Sequence, residues 1–360
     1  MLKNLLQKLE ETGCLSRAEY RRLIAERTPE LVEQAAARAK QLRERHFGKQ
    51  IFIRGLIEIS SYCRNNCYYC GIRRSNCHAE RYRLAPEQIL SCCELGYPLG
   101  FRTFVLQGGE DAWFTDERMV EIIRAIKSRF PDCAVTLSIG EKSFFSYKAF
   151  REAGADRYLL RHETANSEHY AKLHPASQTL SDRLRCLQDL RFLGYQTGTG
   201  FMVGSPFQTV ETLAEDLEFI QAFRPEMVGI GPFIPHHDTQ FAGEPHGSLE
   251  LTLYLLSLLR LMLPGALLPA TTALGSIHPE GRELGVLAGA NVIMPNLSPP
   301  DVRNKYLLYD NKLNTGAEAA EGLAELRRRL ATIACEIAVS RGDFSGNTDH
   351  QTKGVGACTM

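Results

Sequence analysis

The sequence predicts an α/β protein built as a (β/α)8 TIM-type barrel, with an N-terminal helical cap and a short C-terminal extension. Short apolar segments alternate eight times with amphipathic helical segments between residues 50 and 340, which is typical of a parallel sheet covered by helices. That span is close to the size of about 250 residues that such barrels commonly have. Polar residues also follow nearly every predicted strand, where a barrel carries its active-site loops.

The predicted strands are short and mostly apolar. They are Phe52–Ile59, Thr103–Gln107, Ala134–Ile139, Arg157–His162, Thr197–Val203, Met227–Gly231, Leu267–Thr272 and Asn291–Met294. The predicted helices span 86–95, 116–129, 143–153, 181–193, 209–223, 249–263, 279–288 and 316–339. A doubly wound open sheet is the alternative fold, but no glycine-rich dinucleotide-binding motif supports it.

The ends of the chain differ in composition from this repeat. Ser16 and Glu19 form a capping-box pattern, and Thr28 followed by Pro29 predicts a second helix start. Residues 1–48 are therefore predicted as a helical cap and residues 49–340 as the barrel. Residues 341–360 are polar and glycine-rich, which predicts a flexible tail.

The amino-acid composition limits the classes of molecule that the protein is expected to bind. Lys and Arg together number 42, as do Asp and Glu, so no overall basic field favours nucleic acid. The longest apolar run, around 249–263, is interrupted by polar residues and is too short to span a membrane. The N-terminus becomes charged quickly and lacks the apolar region of a signal peptide. We therefore expect a cytoplasmic protein without a nucleic-acid or membrane partner.

Three of the eleven cysteines stand in one motif, Cys63-x3-Cys67-x2-Cys70, and the others are scattered. Thiolates are the ligands that iron–sulfur clusters select. A four-iron cluster on three thiolates keeps one iron open, and an open metal position favours catalysis. The alternative is a non-catalytic module holding such a cluster or zinc, which needs a fourth ligand such as Cys77 or His78.

Candidate binding groups follow other predicted strands. The paired glycines Gly108 and Gly109 allow the backbone to approach a ligand closely. Arg161 and Glu163 alternate with His162 in a strand, so the first two should face the barrel mouth together. They form either an internal ion pair or a ligand-binding pair. The hydroxyl groups of Thr271 and Thr272 are further candidates at the same rim.

The cysteine spacing, with the aromatic Tyr69 before the third cysteine, resembles the cluster loop of the radical S-adenosylmethionine (SAM) superfamily. The resemblance implies one [4Fe-4S] cluster per chain, ligated by Cys63, Cys67 and Cys70. It also implies that the amino and carboxylate groups of SAM bind the open iron. An electron from the cluster would then cleave SAM to a 5′-deoxyadenosyl radical.

Longer runs resemble one family within this superfamily, the [FeFe]-hydrogenase maturase HydE. They are 81–83, 106–111, 156–166, 227–236 and 291–296. By position, this resemblance implies that SAM is contacted by Gln107, Gly109, Ser138, Glu163 and Arg183. It implies that the substrate is contacted by Arg161, Thr271, Thr272 and Tyr306.

The same resemblance implies a role in assembling the hydrogenase H-cluster. The implied substrate is a cysteine-bound iron carbonyl–cyanide precursor, a small organometallic molecule. The implied partners are the maturases HydG and HydF and an electron donor such as ferredoxin or flavodoxin. The alternative is another radical SAM enzyme of the biotin synthase and methylornithine synthase group, acting on a small amino-acid-like substrate. Cys133 and Cys186 flank predicted strands, which argues against the second cluster of biotin synthase.

One feature departs from part of the HydE family. Some members carry a second cluster on three cysteines after the eighth strand. Here the segment from Asp310 onward contains only Cys335 and, in the tail, Cys358. The sequence does not say whether either binds a metal, and we predict a single cluster.

Overall fold

A computed structural model describes residues 2–346 of the chain. Its strands are Gln50–Ile53 (β1), Gly55–Ser60 (β2), Thr103–Gly108 (β3), Ala134–Ser138 (β4), Arg157–Leu159 (β5), Gln196–Thr199 (β6), Met202–Val203 (β7), Met227–Val228 (β8), Gly231–Pro232 (β9), Val292–Ile293 (β10) and Glu336–Ala338 (β11).

The helices alternate with these strands after a helical N-terminal region. They are Leu2–Thr12 (α1), Arg17–Ala25 (α2), Pro29–Phe47 (α3), Pro86–Gly96 (α4), Asp116–Arg129 (α5), Phe144–Ala153 (α6), Ser167–Leu173 (α7), Leu180–Phe192 (α8), Val210–Phe223 (α9), Leu249–Met262 (α10), Thr272–Ile277 (α11), Gly281–Leu287 (α12), Pro300–Arg303 (α13) and Leu323–Thr332 (α14).

The main sheet is parallel and has the strand order β2-β3-β4-β5-β6-β8. It continues around the ring through single bridges, first from Met227 to Leu267 and then from Pro269 to Val292 in β10. A bridge between Asn296 and Leu56 returns it to β2. The strand order and these bridges confirm the predicted α/β barrel architecture.

The sheet is buried because helices cover its outer face, as is usual for parallel strands. Strand β2 is buried along its whole length. Phe104 and Leu106 of β3 share a core cluster with Ile122 and Ile126 of α5. This packing fixes the strand ends, from which the polar loops of the site extend.

The helical N-terminal region packs on the outside of the barrel. Ser16 and Glu19 form the predicted capping box at the start of α2, and the hydroxyl group of Thr28 caps α3. The Tyr254 hydroxyl group on α10 donates to the Leu23 carbonyl over 3.0 Å. The predicted helix starts are therefore confirmed.

Several predicted strands differ from the structure. The fourth ends at Leu159, and the fifth and sixth are each divided in two, into β6 and β7 and into β8 and β9. The first is divided at Arg54 because β1 pairs with β10 and β11, whereas β2 pairs with β3. The seventh does not reach Thr272, because Thr271 precedes α11 and Thr272 is its first helical residue.

The predicted helix 316–339 is also wrong in extent. The segment forms two 3-10 turns, then α14 and finally β11. Ala334 has a positive φ of 56°, which ends the helical path. Strand β11 then pairs with β1, so that the backbone groups along this edge of β1 are hydrogen-bonded rather than left open.

Residues 341–346 lie against the amino-terminal ends of the strands. The Arg157 guanidinium, fully buried at the start of β5, pairs with Asp343 at 2.6 Å. Arg341 pairs with Asp156 at 2.8 Å. The division of the chain at residue 341 remains a prediction, and residues 347–360 of the predicted tail, including Cys358, lie outside the described residues. Within residues 2–346, no helix has the length and apolar character needed to cross a membrane.

Replacing Asp343 with Asn removes an ion pair and should lower the free energy of unfolding at pH 7. The expected loss is only about 1 kcal/mol, because Asp343 is partly exposed and its ion pair is screened by water. Partial burial alone would raise the pKa of Asp343, but Arg341 and Arg157 outweigh it and lower this pKa to about 2. An aspartate in an unfolded chain has a pKa of about 3.9. The contribution is therefore complete above about pH 4 and is lost as the pH falls through about 2.

Urea unfolding of both proteins at pH 7 and pH 3 measures this effect, and the difference should be smaller at pH 3. Glu33→Gln on the exposed face of α3 is the control, with no expected change. An equal loss of stability in both variants, or no loss in Asp343→Asn, would contradict the prediction.

Candidate active site

The three cysteines of the motif lie in the loop that follows β2. Cys63, Cys67 and Cys70 are each half-buried. Desolvation raises the pKa of Cys67 to about 12, and the nearby Cys63 adds to the effect. Burial, followed by the charges of Cys67 and Cys63, also raises the pKa of Cys70. The three thiols therefore lie in one short loop and near enough for their charges to act on one another, which is compatible with ligands of one centre.

The cysteine loop is held in shape by one arginine. The Arg81 guanidinium donates to the carbonyl oxygens of Ile72 at 2.8 Å, Arg73 at 2.7 Å and Asn76 at 3.0 Å. It also donates to the carbonyl oxygen of Ser61 at the start of the loop. A single planar cation thus fixes both ends of the segment that carries the thiols.

Gly109 brings the next loop against the cysteine loop. A Cβ at Gly109 would lie 2.2 Å from the Tyr62 carbonyl oxygen and 2.7 Å from the Cβ of Cys63. The Gly109 amide donates to the Ser60 carbonyl at 3.2 Å. No residue with a side chain fits here without moving Cys63, so this glycine determines where the first thiol lies.

The two residues after Gly109 extend this contact. The backbone amide of Arg64 donates to the Glu110 carbonyl at 2.9 Å, and its guanidinium pairs with the Glu110 carboxylate. Asp111 accepts from the Ser60 hydroxyl at 2.7 Å and pairs with Arg83. Sequence reasoning assigned no role to Glu110 and Asp111, although both directly follow the glycine pair.

The surroundings of the thiols fit an iron–sulfur centre better than a closed zinc site. The Cys67 thiol donates to Gln178 Oε1 at 3.5 Å. Of the proposed fourth zinc ligands, Cys77 is exposed, and His78 is bonded to Asp238 at 2.8 Å with 73% of its side chain accessible. Three half-buried thiols remain, and bound metal cations would stabilise their thiolate forms.

Arg161 and Glu163 face the same way after β5, whereas His162 faces Asp216. The shared direction agrees with the prediction, but it does not arise from strand alternation, because β5 ends at Leu159 and Glu163 has a φ of 65°. Arg161 Nη2 lies 3.1 Å from Glu163 Oε2. Yet these two buried atoms, like Arg161 Nε, make no hydrogen bond within residues 2–346. The pair is therefore an ion pair that still offers two donors and one acceptor to a ligand.

Arg183 on α8 lies beside this pair. It is buried, its Nε donates to Glu141 at 2.5 Å, and it also donates to the Arg161 carbonyl oxygen. The negative charge of Glu163 contributes to the raised pKa of Cys70, after burial and the neighbouring thiolates. Arg183, Arg161 and Glu163 therefore form one charged wall next to the thiols.

Gln107 and Ser138 end neighbouring strands and are paired in register. The Gln107 side-chain amide donates to the Tyr306 hydroxyl at 3.5 Å. Burial raises the pKa of Tyr306 well above its usual range, and the charges of Glu58 and Cys70 add to the effect. Tyr306 therefore lies between the end of β3 and the cysteine loop, although it is 236 residues from Cys70 in sequence.

The two threonines have different environments. Burial leaves Thr271 Oγ1 without a hydrogen-bond partner in the described part of the chain, close to Gly231. The Thr272 hydroxyl is hydrogen-bonded to Glu318. Thr271 is therefore open to a ligand, whereas Thr272 already has a protein partner.

Sequence reasoning missed a polar network inside the barrel. The Glu58 carboxylate is fully buried and pairs with Lys312 at 2.5 Å and with Asn296 at 2.9 Å. Glu58 also lies in register with Gln107. A charged residue within an otherwise apolar strand was the available signal, but its distant partner Lys312 could not be read from local sequence.

Comparison with known proteins agrees with this site. Residues 57–220 match the family model of the radical SAM superfamily. The chain is 47% identical to the [FeFe] hydrogenase maturase subunit HydE of Thermotoga maritima over 275 residues, covering 76% of this chain and 78% of that protein. It is 29% identical to the 3-methylornithine synthase of Methanosarcina barkeri, covering 94% of both.

The fold has a close counterpart among solved structures. The crystal structure of methylornithine synthase (PylB) superposes with a TM-score of 0.81 at 28% identity, covering 93% of this chain and 97% of that one. The matched superfamily region contains the cysteine loop, Gly109, Glu163 and Arg183. This chain therefore belongs to the HydE family of radical SAM enzymes.

Proposed function

We propose that this enzyme binds a [4Fe-4S] cluster through Cys63, Cys67 and Cys70 and cleaves SAM reductively during assembly of the hydrogenase H-cluster. The observation that carries the proposal is the grouping of three half-buried thiols in one loop beside Glu163, with polar atoms of Arg161, Glu163 and Thr271 at the same rim that lack hydrogen-bond partners in the described chain. Family membership supports an iron–sulfur and SAM-dependent reaction.

Three thiolate ligands leave one iron of such a cluster free for the amino and carboxylate groups of SAM. When bound, the cluster supplies the electron that cleaves the SAM sulfonium to a 5′-deoxyadenosyl radical. The chain itself supplies position, charge and exclusion of water.

The proposed SAM contacts come from three strand ends and one helix. Gly109 lets its backbone approach the SAM ammonium group, because no side chain intervenes. The free Glu163 oxygen accepts from SAM, and Arg183 contributes positive charge near the SAM carboxylate. Gln107 and Ser138 extend the polar surface from the neighbouring strand ends.

The proposed substrate contacts lie around Arg161. Its Nε and Nη2 atoms make no hydrogen bond in the described chain, so they suit a carboxylate of the substrate. The Thr271 hydroxyl offers a further donor. The buried ring of Tyr306 closes the cavity beside Gln107 and excludes water from the reacting atoms. Thr272 acts by holding Glu318.

The similarity to the Thermotoga maritima maturase supports a role in hydrogenase maturation. We propose a cysteine-bound iron carbonyl–cyanide precursor as the substrate, as the resemblance to the HydE family implies. We therefore propose HydG and HydF as the neighbouring maturases, and ferredoxin or flavodoxin as the cytoplasmic electron donor. The described segment after β10 contains no second group of cysteines, which supports one cluster per chain.

A second candidate function is a carbon-skeleton reaction on an amino acid. The resemblance to methylornithine synthase in fold and over nearly the full length favours it. Arg161 and Thr271 suit the carboxylate of an amino acid equally well. The residues of the site therefore do not separate these two substrate classes.

A hydrogenase maturation assay separates them. We expect active hydrogenase when the wild-type chain restores a mixture lacking its HydE component, and less than about 10% of that activity with Arg161→Met, because a desolvated charged contact is lost. SAM cleavage without the substrate should persist in Arg161→Met. Failure of the wild-type chain to restore hydrogenase, together with conversion of an amino acid, would favour the second function.

Replacing Cys67 with Ala should abolish the cluster, because two thiolates cannot hold it. After anaerobic reconstitution, wild type should contain about four iron atoms per chain, whereas Cys67→Ala should contain little iron and release no 5′-deoxyadenosine. Cys77→Ala is the matched control, since Cys77 is exposed in the same loop, and it should match wild type. Iron of about eight atoms per chain in wild type would contradict the single cluster.

Replacing Gly109 with Ala should displace Cys63 through the close contact with the cysteine loop. We expect at least a ten-fold lower rate of SAM cleavage, about 1.4 kcal/mol, and less bound iron. The matched control is Gly243→Ala, because a Cβ at Gly243 would meet no described atom within 4 Å. Iron content and activity equal to those of Gly243→Ala would show that the contact does not set the ligand geometry.

A further inference from the structure

Glu163 has a backbone conformation that residues with side chains rarely adopt. Its φ is 65°, in the left-handed region that glycine favours. It directly follows Arg161 and His162 beyond the end of β5. Because such a conformation costs free energy, the surrounding contacts must hold it in place.

One part of this support comes from β6. The Glu163 amide donates to the Gly200 carbonyl at 3.0 Å. The His162 amide donates to the Thr199 hydroxyl at 3.2 Å, and His162 Nδ1 lies 2.9 Å from the same oxygen. These contacts fix the residue before Glu163 on the outer side of the barrel wall.

The other part comes from a buried carboxylate on α9. Asp216 Oδ1 accepts from the Ala165 amide at 2.5 Å and lies 3.4 Å from His162 Nε2. The side chains of Asp216 and His162 are both fully buried. One oxygen atom therefore contacts the chain both before and after Glu163.

We propose that Asp216 and His162 are positioning residues, which hold Glu163 in its left-handed conformation so that its carboxylate faces the SAM-binding cavity beside Arg161. Neither touches the cavity, because His162 faces away from Arg161 and Glu163. The proposal rests on the proposed role of Glu163 in SAM binding. According to this proposal, a residue of α9, which lies outside the barrel wall, affects the affinity of the enzyme for SAM.

The chain offers a matched control at the opposite end of β6. Glu226 is a partly buried carboxylate that accepts from the Thr197 amide at 2.8 Å. Like Asp216, it bonds to a backbone amide next to a strand, and desolvation raises the pKa of both groups. Glu226→Gln therefore tests whether loss of any such carboxylate affects SAM binding.

The experiment measures 5′-deoxyadenosine formation by the reconstituted enzyme with dithionite as reductant. Asp216→Leu should raise the KM for SAM about ten-fold with a smaller change in kcat, because the binding geometry is disturbed. Asp216→Asn keeps an oxygen for the Ala165 amide, so it should recover most of the affinity. His162→Leu should resemble Asp216→Leu, and Glu226→Gln should keep the wild-type KM.

Thermal unfolding and iron content accompany each variant. If Asp216→Leu does not fold, the KM of His162→Leu decides, and a rise of about two-fold or more supports the proposal. A smaller rise in His162→Leu, or an equal rise in Glu226→Gln, would overturn it.

Glu163→Gln separates this proposal from the function on which it rests. An unchanged KM for SAM in Glu163→Gln would refute the role of Glu163, and the positioning role would fall with it. A raised KM in Glu163→Gln with an unchanged KM in the Asp216 and His162 variants would refute the positioning role alone.

Discussion

The geometry of the site depends on one close backbone contact, in which Gly109 lies against the Tyr62 carbonyl and Cys63. The contact joins the loop after β3 to the cysteine loop after β2. Because the strands pair in a fixed register, it carries the rigidity of the sheet into a loop that otherwise has no regular structure. Arg81 then spreads this constraint over the rest of the loop by bonding to its carbonyl oxygens. These contacts restrict the backbone conformation of the loop, and this restriction keeps its three thiols in a fixed arrangement.

The same rim contains buried polar atoms whose hydrogen-bonding capacity is not used within the described chain. Arg161 Nη2, Glu163 Oε2 and Thr271 Oγ1 lack hydrogen-bond partners in the described chain, although most buried polar atoms in proteins have one. Nearby, Arg183 and Glu141 form a closely spaced pair. His162 and Asp216 face each other behind the wall, and each of them also has one buried atom, His162 Nε2 and Asp216 Oδ2, without a hydrogen-bond partner in the described chain. These two side chains are held instead through their other atoms, because Asp216 Oδ1 accepts from the Ala165 amide and His162 Nδ1 lies 2.9 Å from the Thr199 hydroxyl oxygen.

Much of this was predictable because the signals were local. Alternating apolar segments predicted the barrel, and the cysteine spacing predicted the ligand loop. The shared direction of Arg161 and Glu163 was also predicted, although β5 ends at Leu159 and the left-handed conformation of Glu163, not strand alternation, accompanies it. The misses depend on distant pairing. The strand β11 forms because β1 has a free edge, which no pattern within 316–339 reveals. Glu58 depends on Lys312, and Asp216 depends on His162. Side-chain periodicity indicates burial but does not identify the partner across the fold.

Several ion pairs hold the segment after β10 in place. Lys312 pairs with the buried Glu58, and Arg282 pairs with Glu318 within the barrel rim. Arg303 on α13 binds Glu321 at 2.6 Å and 3.1 Å through two nitrogen atoms. Because buried ions are costly unless paired, each contact favours one position of the segment. These pairs also fix Tyr306, since Lys312 donates to its carbonyl oxygen at 3.1 Å. These ion pairs therefore order this wall of the barrel.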